Sequence, residues 1–152
     1  MRGNYRRSLT CTKILSFCAA HRLIGHEGAC ANLHGHNYSV HVTVSATDVR
    51  GPELDRVGRI LDFSEIKEHL QGWLNHNWDH AVIVNSDDHS LVDFLESEGQ
   101  KYFVLTGNAT AEIMARYLQD RFDEFLGFPL TVSSVTIYET PTGFATCSVE
   151  VS

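Results

Sequence analysis

One short segment, residues 30–38, holds a thiol and two imidazoles at a spacing that could do chemistry. Cys30 precedes His34 by four residues, and His36 follows two residues later. Beyond His36, apolar and polar residues alternate, which predicts a half-buried strand. Side chains two apart on a strand share a face, so we expect His34 and His36 to project together from the apolar side. The two rings could bind a metal ion, or they could be hydrogen-bonded core histidines.

A third histidine strengthens the metal hypothesis. His21 closes an earlier alternating run and shares a parity with the apolar residues of that run. If the two runs pair as antiparallel neighbours, His21 lies beside His34 and His36. Three imidazoles and one open position are typical of a catalytic zinc, whereas structural zinc usually has four protein ligands. Cys30 could be that fourth ligand, so a structural zinc site stays open as an alternative.

Length and composition indicate one folded domain over residues 1–152. The chain is 43% hydrophobic and 20% charged, which is usual for a globular protein. A net charge of −7 argues against a general nucleic-acid binder. No run approaches the roughly 18 apolar residues of a membrane span, and the first residues lack the apolar core of a signal peptide. We therefore expect a cytoplasmic protein that binds neither nucleic acid nor membrane.

The four cysteines form no C-x-x-C pair, and free thiols are expected in a reducing compartment. Cys18 and Cys147 lie inside strand-like runs, which predicts small core residues. The position of Cys11 in the sequence predicts no particular role. Cys30 differs, because it stands in a polar, glycine-containing loop that leads directly to the paired histidines.

The elements that must position these residues follow from periodicity and capping. An aspartate, Asp62, is expected to cap the first helix. The predicted elements are strands over 10–21, 34–47, 102–105, 132–139 and 144–151 and helices from 62, over 91–99 and over 110–126. Residues 75–90 are interpreted as a polar break around a short apolar core. The four long strands come as one pair before and one pair after the main helices, which predicts an α+β fold with a four-stranded antiparallel sheet and two main helices on one face.

Two further positions could take part in chemistry. Asp79 precedes His80, and an adjacent carboxylate can orient an imidazole for proton transfer. A turn aspartate beside a surface histidine is the alternative. Glu139 shares a parity with Val135 and Ile137 at the end of an inward-facing row. Its carboxylate is either a solvated strand end or a binding anchor.

Five motifs occur together and in one order: Phe17-Cys-Ala-Ala-His21-Arg-Leu, Cys30-x-x-x-His34-Gly-His36-Asn-Tyr38, Asp62-Phe, Asp79-His80 and Glu139-Thr-x-Thr. They resemble the 6-pyruvoyl-tetrahydropterin synthase and 6-carboxytetrahydropterin synthase family, which has the tunnelling fold. The resemblance runs from about Thr12 to Ser148 and therefore covers nearly the whole chain.

The resemblance implies roles for nine residues. They are the Zn²⁺ ligands His21, His34 and His36, the catalytic residues Cys30, Asp79 and His80, and the substrate-binding residues Glu139, Thr110 and Glu112. Cys30 would be the catalytic thiol, working with the Asp79–His80 pair, and Glu139 would anchor the pterin ring. The family also implies a homo-oligomer, a hexamer of two trimers that close into barrels, with pockets between subunits.

Two departures from the family pattern bear on the reaction. Three residues separate Cys30 from His34, as in the bacterial 6-carboxytetrahydropterin synthases of the queuosine pathway, whereas the pyruvoyl enzymes have a longer spacer. The resemblance thus favours zinc-dependent conversion of 7,8-dihydroneopterin triphosphate to 6-carboxytetrahydropterin, acetaldehyde and triphosphate. Elimination of triphosphate to the pyruvoyl product is the nearest alternative, and a structural zinc protein or a pterin-binding module without turnover is the alternative of another class. The second departure is the long segment 82–106, for which the family pattern predicts no role.

Overall fold

The computed structural model describes residues 8–46 and 54–150, and within these ranges a six-stranded sheet forms the central layer. Its strands are β1 (Thr10–His21), β2 (His34–Ala46), β3 (Ala81–Asn85), β4 (Tyr102–Leu105), β5 (Leu130–Thr140) and β6 (Gly143–Ser148). The helices are α1 (Phe63–Ile66), α2 (Gly72–Asn77), α3 (His89–Ser97) and α4 (Ala111–Leu126), with a π-helical stretch, Lys67–Gln71, joining α1 to α2. None of the helices in the described ranges is long and apolar enough to cross a bilayer.

The sheet is mixed, with the strand order β4-β3-β1-β2-β5-β6. β1 pairs antiparallel with β2, β2 with β5, and β5 with β6, as predicted. β3 runs parallel to both β1 and β4. The prediction of four antiparallel strands was therefore wrong at one edge, because Ala81–Asn85 is a buried strand within the segment interpreted as a polar break. A strand buried on both faces shows no alternation that would reveal it.

Alternation along β1 and β2 decides which face of the sheet is covered. Leu15 and Phe17 on β1, and Val40 and Val42 on β2, are buried, while the residues between them are exposed or half-buried. α4 packs against β5 and β6. The buried helix residues of the same core are Ile66, Leu70, Trp73, Leu74, Met114, Ala115, Leu118 and Phe122. The two main helices therefore lie on one face of the sheet, as predicted.

Capping side chains set the predicted helix boundaries. The Asp62 carboxylate accepts the N–H of Ser64 at 2.9 Å, so the predicted N-cap of α1 is confirmed. Gly127, with a φ of 64°, ends α4 as predicted.

The segment from β3 to β4 forms a small unit at one edge of the sheet. It has its own apolar cluster of Val84, Leu91 and Leu95. β3 pairs with β1 at only two positions, opposite Ala19 and Ala20. This long insertion therefore lies directly beside the end of β1 that carries His21.

Candidate functional site

The pairing of β1 with β2 brings the three predicted metal ligands together. His21 lies directly opposite His34 in the register, and His36 lies opposite Ala19. The ring centroids are 4.6 Å apart for His21 and His34, 4.9 Å for His34 and His36, and 5.2 Å for His21 and His36. One nitrogen from each ring and one carboxylate oxygen of Glu139 all lie within 4.8 Å of one another. We call His21, His34 and His36 the histidine cluster.

Two main-chain carbonyl groups decide which ring nitrogens carry hydrogen. His21 Nδ1 lies 2.7 Å from the carbonyl oxygen of Ala109, and His34 Nδ1 lies 2.6 Å from that of Asn32. A carbonyl oxygen can only accept, so each Nδ1 is the donor. In the neutral rings both Nε2 atoms then hold lone pairs, and these atoms are 3.1 Å apart. Burial lowers the pKa of His21, despite its hydrogen bond to Ala109, and so favours the neutral ring.

The third histidine has an unmet nitrogen. His36 Nε2 is buried and makes no hydrogen bond within the described part of the chain, although Glu139 Oε1 lies 2.9 Å away. Leaving a buried polar atom without a hydrogen bond costs about 1–3 kcal/mol. A cation placed among the three Nε2 atoms would satisfy all their lone pairs at once. The donor set of three imidazole nitrogens and one carboxylate oxygen therefore fits a divalent transition metal such as zinc.

Glu139 lies closer to the cluster than the sequence indicates. Its Oε1 is 2.9 Å from His36 Nε2 and 3.9 Å from His21 Nε2. The β5–β6 register shifts between Tyr138 and Thr140, and such irregularities re-aim side chains. The carboxylate can either complete the ligand set of a metal or hold a substrate beside it. The parity of Glu139 with buried residues of β5 was the signal for this position, but it gave no distance to the histidines.

Tyr38 packs against the histidine cluster, a contact that the sequence did not predict. Its ring is 1% exposed, stacks on Phe17 at 4.8 Å and contacts His36 edge-on at 5.5 Å. Burial, with a further contribution from the negative charge of Glu139, raises the pKa of Tyr38 above its usual range, so the phenol stays protonated. The carbonyl groups of Ala109 and Asn32 were also missed, because a main-chain acceptor has no residue type to reveal it.

Cys30 lies outside the group of possible ligands. The thiol is half-buried and belongs to a 3-10 turn, Ala29–Ala31, in the loop between β1 and β2. Its carbonyl oxygen accepts the N–H of Leu23 at 2.9 Å. In the described residues, the ligand atoms that lie within 4.8 Å of one another include Glu139 and not Cys30. This geometry favours a free thiol near the cluster over Cys30 as the fourth ligand of a structural zinc.

Asp79 and His80 form a directed hydrogen-bonded pair. His80 Nδ1 lies 2.7 Å from Asp79 Oδ2, and the N–H of Cys18 donates to Asp79 Oδ1 at 2.8 Å. Burial raises the pKa of the Asp79 carboxyl group, but the Cys18 N–H, His80 and the charge of Lys101 outweigh it and hold that pKa below its ordinary value. His80 has a φ of 58°, an uncommon conformation for a residue other than glycine, and its ring is 80% exposed. An exposed imidazole oriented by a charged carboxylate is suited to proton transfer.

The Asp79–His80 pair opens into a cavity on the face of the sheet that bears Cys18 and Asn37. His80 lines this cavity of about 480 Å³ with Cys18, Asn37, Lys101 and one member of the histidine cluster, His36. Cys18 and Asn37 alternate with the buried residues of β1 and β2 and are exposed. The prediction that Cys18 is a core residue was therefore wrong, because its position falls on the face of the sheet opposite the main core. Cys147, by contrast, packs against the core as predicted.

Thr110 and Glu112 take positions at the start of α4. The Thr110 side chain accepts the N–H of Ile113 at 3.2 Å and is the N-cap. Glu112 is exposed in the first turn, where a negative charge favours the helix dipole. Both residues thus have structural roles at the helix start, and their substrate-binding roles stay predictions.

Comparison with known proteins places this geometry in a family context. The family model described as 6-pyruvoyl tetrahydropterin synthase matches residues 10–150. A protein of Rickettsia felis named 6-carboxy-5,6,7,8-tetrahydropterin synthase is 35% identical over 146 residues, covering 94% of this chain and 99% of that protein. A protein of the same name from Haemophilus influenzae is 33% identical and covers 88% of this chain and 94% of its own.

The fold has a similar counterpart among solved structures. The structure of Caenorhabditis elegans 6-pyruvoyl tetrahydropterin synthase superposes with a TM-score of 0.67 at 25% identity. The match covers 95% of this chain and 98% of that one.

The convergence of the ring nitrogens of the histidine cluster predicts that the purified chain binds one transition-metal ion. We expect one Zn²⁺ or Co²⁺ per chain by titration calorimetry and elemental analysis. His34→Ala and His36→Ala should each weaken binding by more than the roughly 10- to 100-fold that loss of an outer-shell partner costs. His41→Ala is the matched control, because His41 lies on the other parity of β2 and stacks on Tyr138. Equal metal affinity in all three variants would contradict the assignment.

Proposed function

The chain belongs to the 6-pyruvoyl tetrahydropterin synthase family, and on that basis we propose that it is a zinc-dependent 6-carboxy-5,6,7,8-tetrahydropterin synthase. This lyase would convert 7,8-dihydroneopterin triphosphate to 6-carboxytetrahydropterin, acetaldehyde and triphosphate, in the queuosine pathway. The observation that carries the proposal is the histidine cluster, with three Nε2 atoms turned to one point beside the loop that bears Cys30. The short spacing from Cys30 to His34 and the names of the relatives favour the carboxy branch.

His21, His34 and His36 would hold the zinc, which as a Lewis acid stabilises negative charge that develops on a substrate oxygen. The surroundings of two of these rings determine which nitrogen binds the metal. The hydrogen bonds from Nδ1 to Ala109 and Asn32 fix the tautomers of His21 and His34, so that Nε2 is the ligand atom. Buried Tyr38 supports the cluster from below and stays uncharged.

Cys30 would act as the base. The reaction starts with removal of a proton from a side-chain carbon that lies next to a hydroxyl group. A thiolate is favoured near a cation, and it is a base that the loop can present without ligating the metal. Cys30 is a free, half-buried thiol in the loop that precedes His34.

Glu139 would bind the substrate ring. A carboxylate can form two parallel hydrogen bonds with the guanidine-like edge of a pterin, which fixes the ring in one orientation. Because Glu139 Oε1 lies within 4 Å of two cluster nitrogens, a ring held by Glu139 places its side chain next to the metal.

The Asp79–His80 pair of a neighbouring copy would complete the site. Within one copy the pair opens on the face of Cys18 and Asn37, whereas the histidine cluster lies on the helix-covered face. Two copies side by side could present the Asp79–His80 pair of one copy and the histidine cluster of the other to one pocket. The proposed assembly is a homo-oligomer, with a hexamer of two trimers as its expected form.

Two alternatives make different products or none. The pyruvoyl reaction would use the same site and eliminate triphosphate without releasing acetaldehyde. A structural zinc held by the three histidines and Cys30 would need that thiol as a ligand, and Cys30 is not a member of the ligand group among the described residues. A pterin-binding module would bind the substrate and leave it unchanged.

The first test is a product assay. Zinc-loaded protein is incubated with 7,8-dihydroneopterin triphosphate, and the pterin product is identified by mass spectrometry alongside a coupled acetaldehyde assay. We expect 6-carboxytetrahydropterin and acetaldehyde. A pyruvoyl product without acetaldehyde would assign the chain to the other branch, and bound but unchanged substrate would support the binding module.

Replacing the thiol separates its two possible roles. Cys30→Ala should keep one zinc per chain and an unchanged melting temperature while turnover falls by about 100-fold or more, as for loss of a general base. Cys147→Ala, which removes a half-buried thiol of β6, is the control and should keep full turnover. Loss of zinc together with unfolding in Cys30→Ala would make Cys30 a structural ligand, and retained turnover would refute its role as the base.

A mixing experiment tests whether neighbouring copies share the site. Cys30→Ala and His80→Ala should each be inactive as pure proteins. Oligomers refolded from an equal mixture should regain activity, because some pockets then combine an intact thiol from one copy with an intact Asp79–His80 pair from another. Each parent refolded alone is the control. A mixture no more active than its parents would place both groups in one copy.

A further inference from the structure

Three consecutive residues at the start of the loop that carries Cys30, residues 22–24, each form hydrogen bonds to other parts of the chain. The N–H of Leu23 donates to the main-chain carbonyl oxygen of Cys30 at 2.9 Å, which ties the backbone of Cys30 to the start of the loop. The preceding residue, Arg22, forms a two-pronged ion pair with Asp88, with both N···O distances 2.6 Å. The following residue, Ile24, exchanges two main-chain hydrogen bonds with the side chain of Asn108, each 2.9 Å long.

The long segment 82–106 contributes to both interactions, because it contains Asp88 and also Asn85, which contacts Asn108. Asn85 is 7% exposed, and its Nδ2 donates to Asn108 Oδ1 at 2.9 Å. Asp88 is 6% exposed and also caps α3. The hydrogen bonds to the buried Asp88 carboxylate and to the Asn108 side-chain amide therefore fix the position of the loop backbone.

We propose that Asn108 is a positioning residue, and that Asn85 and the Arg22–Asp88 pair act with it to set the thiol of Cys30 against the histidine cluster. We call these four residues the loop clamp. Its consequence for turnover rests on the proposed function, whereas its hold on the loop does not. The clamp gives the long insertion a role: β3 and α3 supply Asn85 and Asp88 at the places where the loop needs support.

The position of Asn108 in the chain explains why it acts on geometry rather than on stability alone. The next residue, Ala109, supplies the carbonyl oxygen that orients His21. Two neighbouring residues therefore position a metal ligand and the thiol loop from the same stretch of backbone. A displacement of about 1 Å between reacting groups can cost about 100-fold in rate, so a common support for both matters.

The test is Asn108→Ala in the full-length zinc-loaded protein, read by amide hydrogen exchange and by kinetics. We expect exchange at Leu23 and Ile24 to accelerate about tenfold, with exchange at the core amides of Val40 and Val42 unchanged. The rate of Cys30 alkylation, followed by peptide mass spectrometry, should change as well. At constant zinc content, kcat should fall at least about tenfold while KM changes little. Asn77→Ala is the matched control, because among the described residues the Asn77 side chain bonds only to Trp73, within its own helix.

The outcomes separate the clamp from the proposed function. Local acceleration with a lower kcat supports both, and local acceleration in a protein without turnover supports the clamp alone. Uniform acceleration of loop and core amides, or unchanged exchange at Leu23 and Ile24, would overturn the clamp. If Asn108→Ala does not fold, Asn85→Ala is the second variant. It leaves both Ile24 hydrogen bonds in place, so a weaker version of the same local pattern is expected, and its absence would overturn the proposal.

Discussion

The site depends on the antiparallel register of β1 with β2. Because His21 lies directly opposite His34, their Nε2 atoms approach to 3.1 Å, and His36 follows on the same face. A shift of one residue would turn His34 and His36 to the opposite face and separate them from His21. The register is itself fixed by the apolar residues that share this parity. The packing of the core therefore also determines the geometry of the histidine cluster.

Residue parity was enough to predict most of what this constraint determines. The spans of β1 and β4, the antiparallel β1–β2 pair, the meeting of the three histidines and the start of α1 were predicted from alternation and capping, and these are confirmed. The last strand is shorter than predicted, since β6 ends at Ser148 rather than at residue 151. The α+β tunnelling fold implied by the resemblance is also confirmed by the family match. The roles assigned to all nine site residues, including zinc binding by His21, His34 and His36 and substrate binding by Glu139, stay predictions.

What sequence reasoning missed has physical causes. β3 is short, apolar throughout and parallel to its neighbours, so neither alternation nor a hairpin turn marks it. The exposed position of Cys18 follows from parity, but its small apolar character argued for the core. The approach of Glu139 to His36 depends on an irregularity in the β5–β6 pairing, and the tautomers depend on main-chain carbonyls. None of these long-range contacts leaves a local pattern.

The two faces of the sheet explain why this architecture favours assembly. A metal-binding cluster needs a dry, covered setting, because burial keeps His21 neutral and free to ligate. A proton-transfer group needs an exposed ring, and His80 has one on the open face. In the proposed homo-oligomer, each copy would contribute its histidine cluster to one pocket and its exposed Asp79–His80 pair to the next, which would meet both demands.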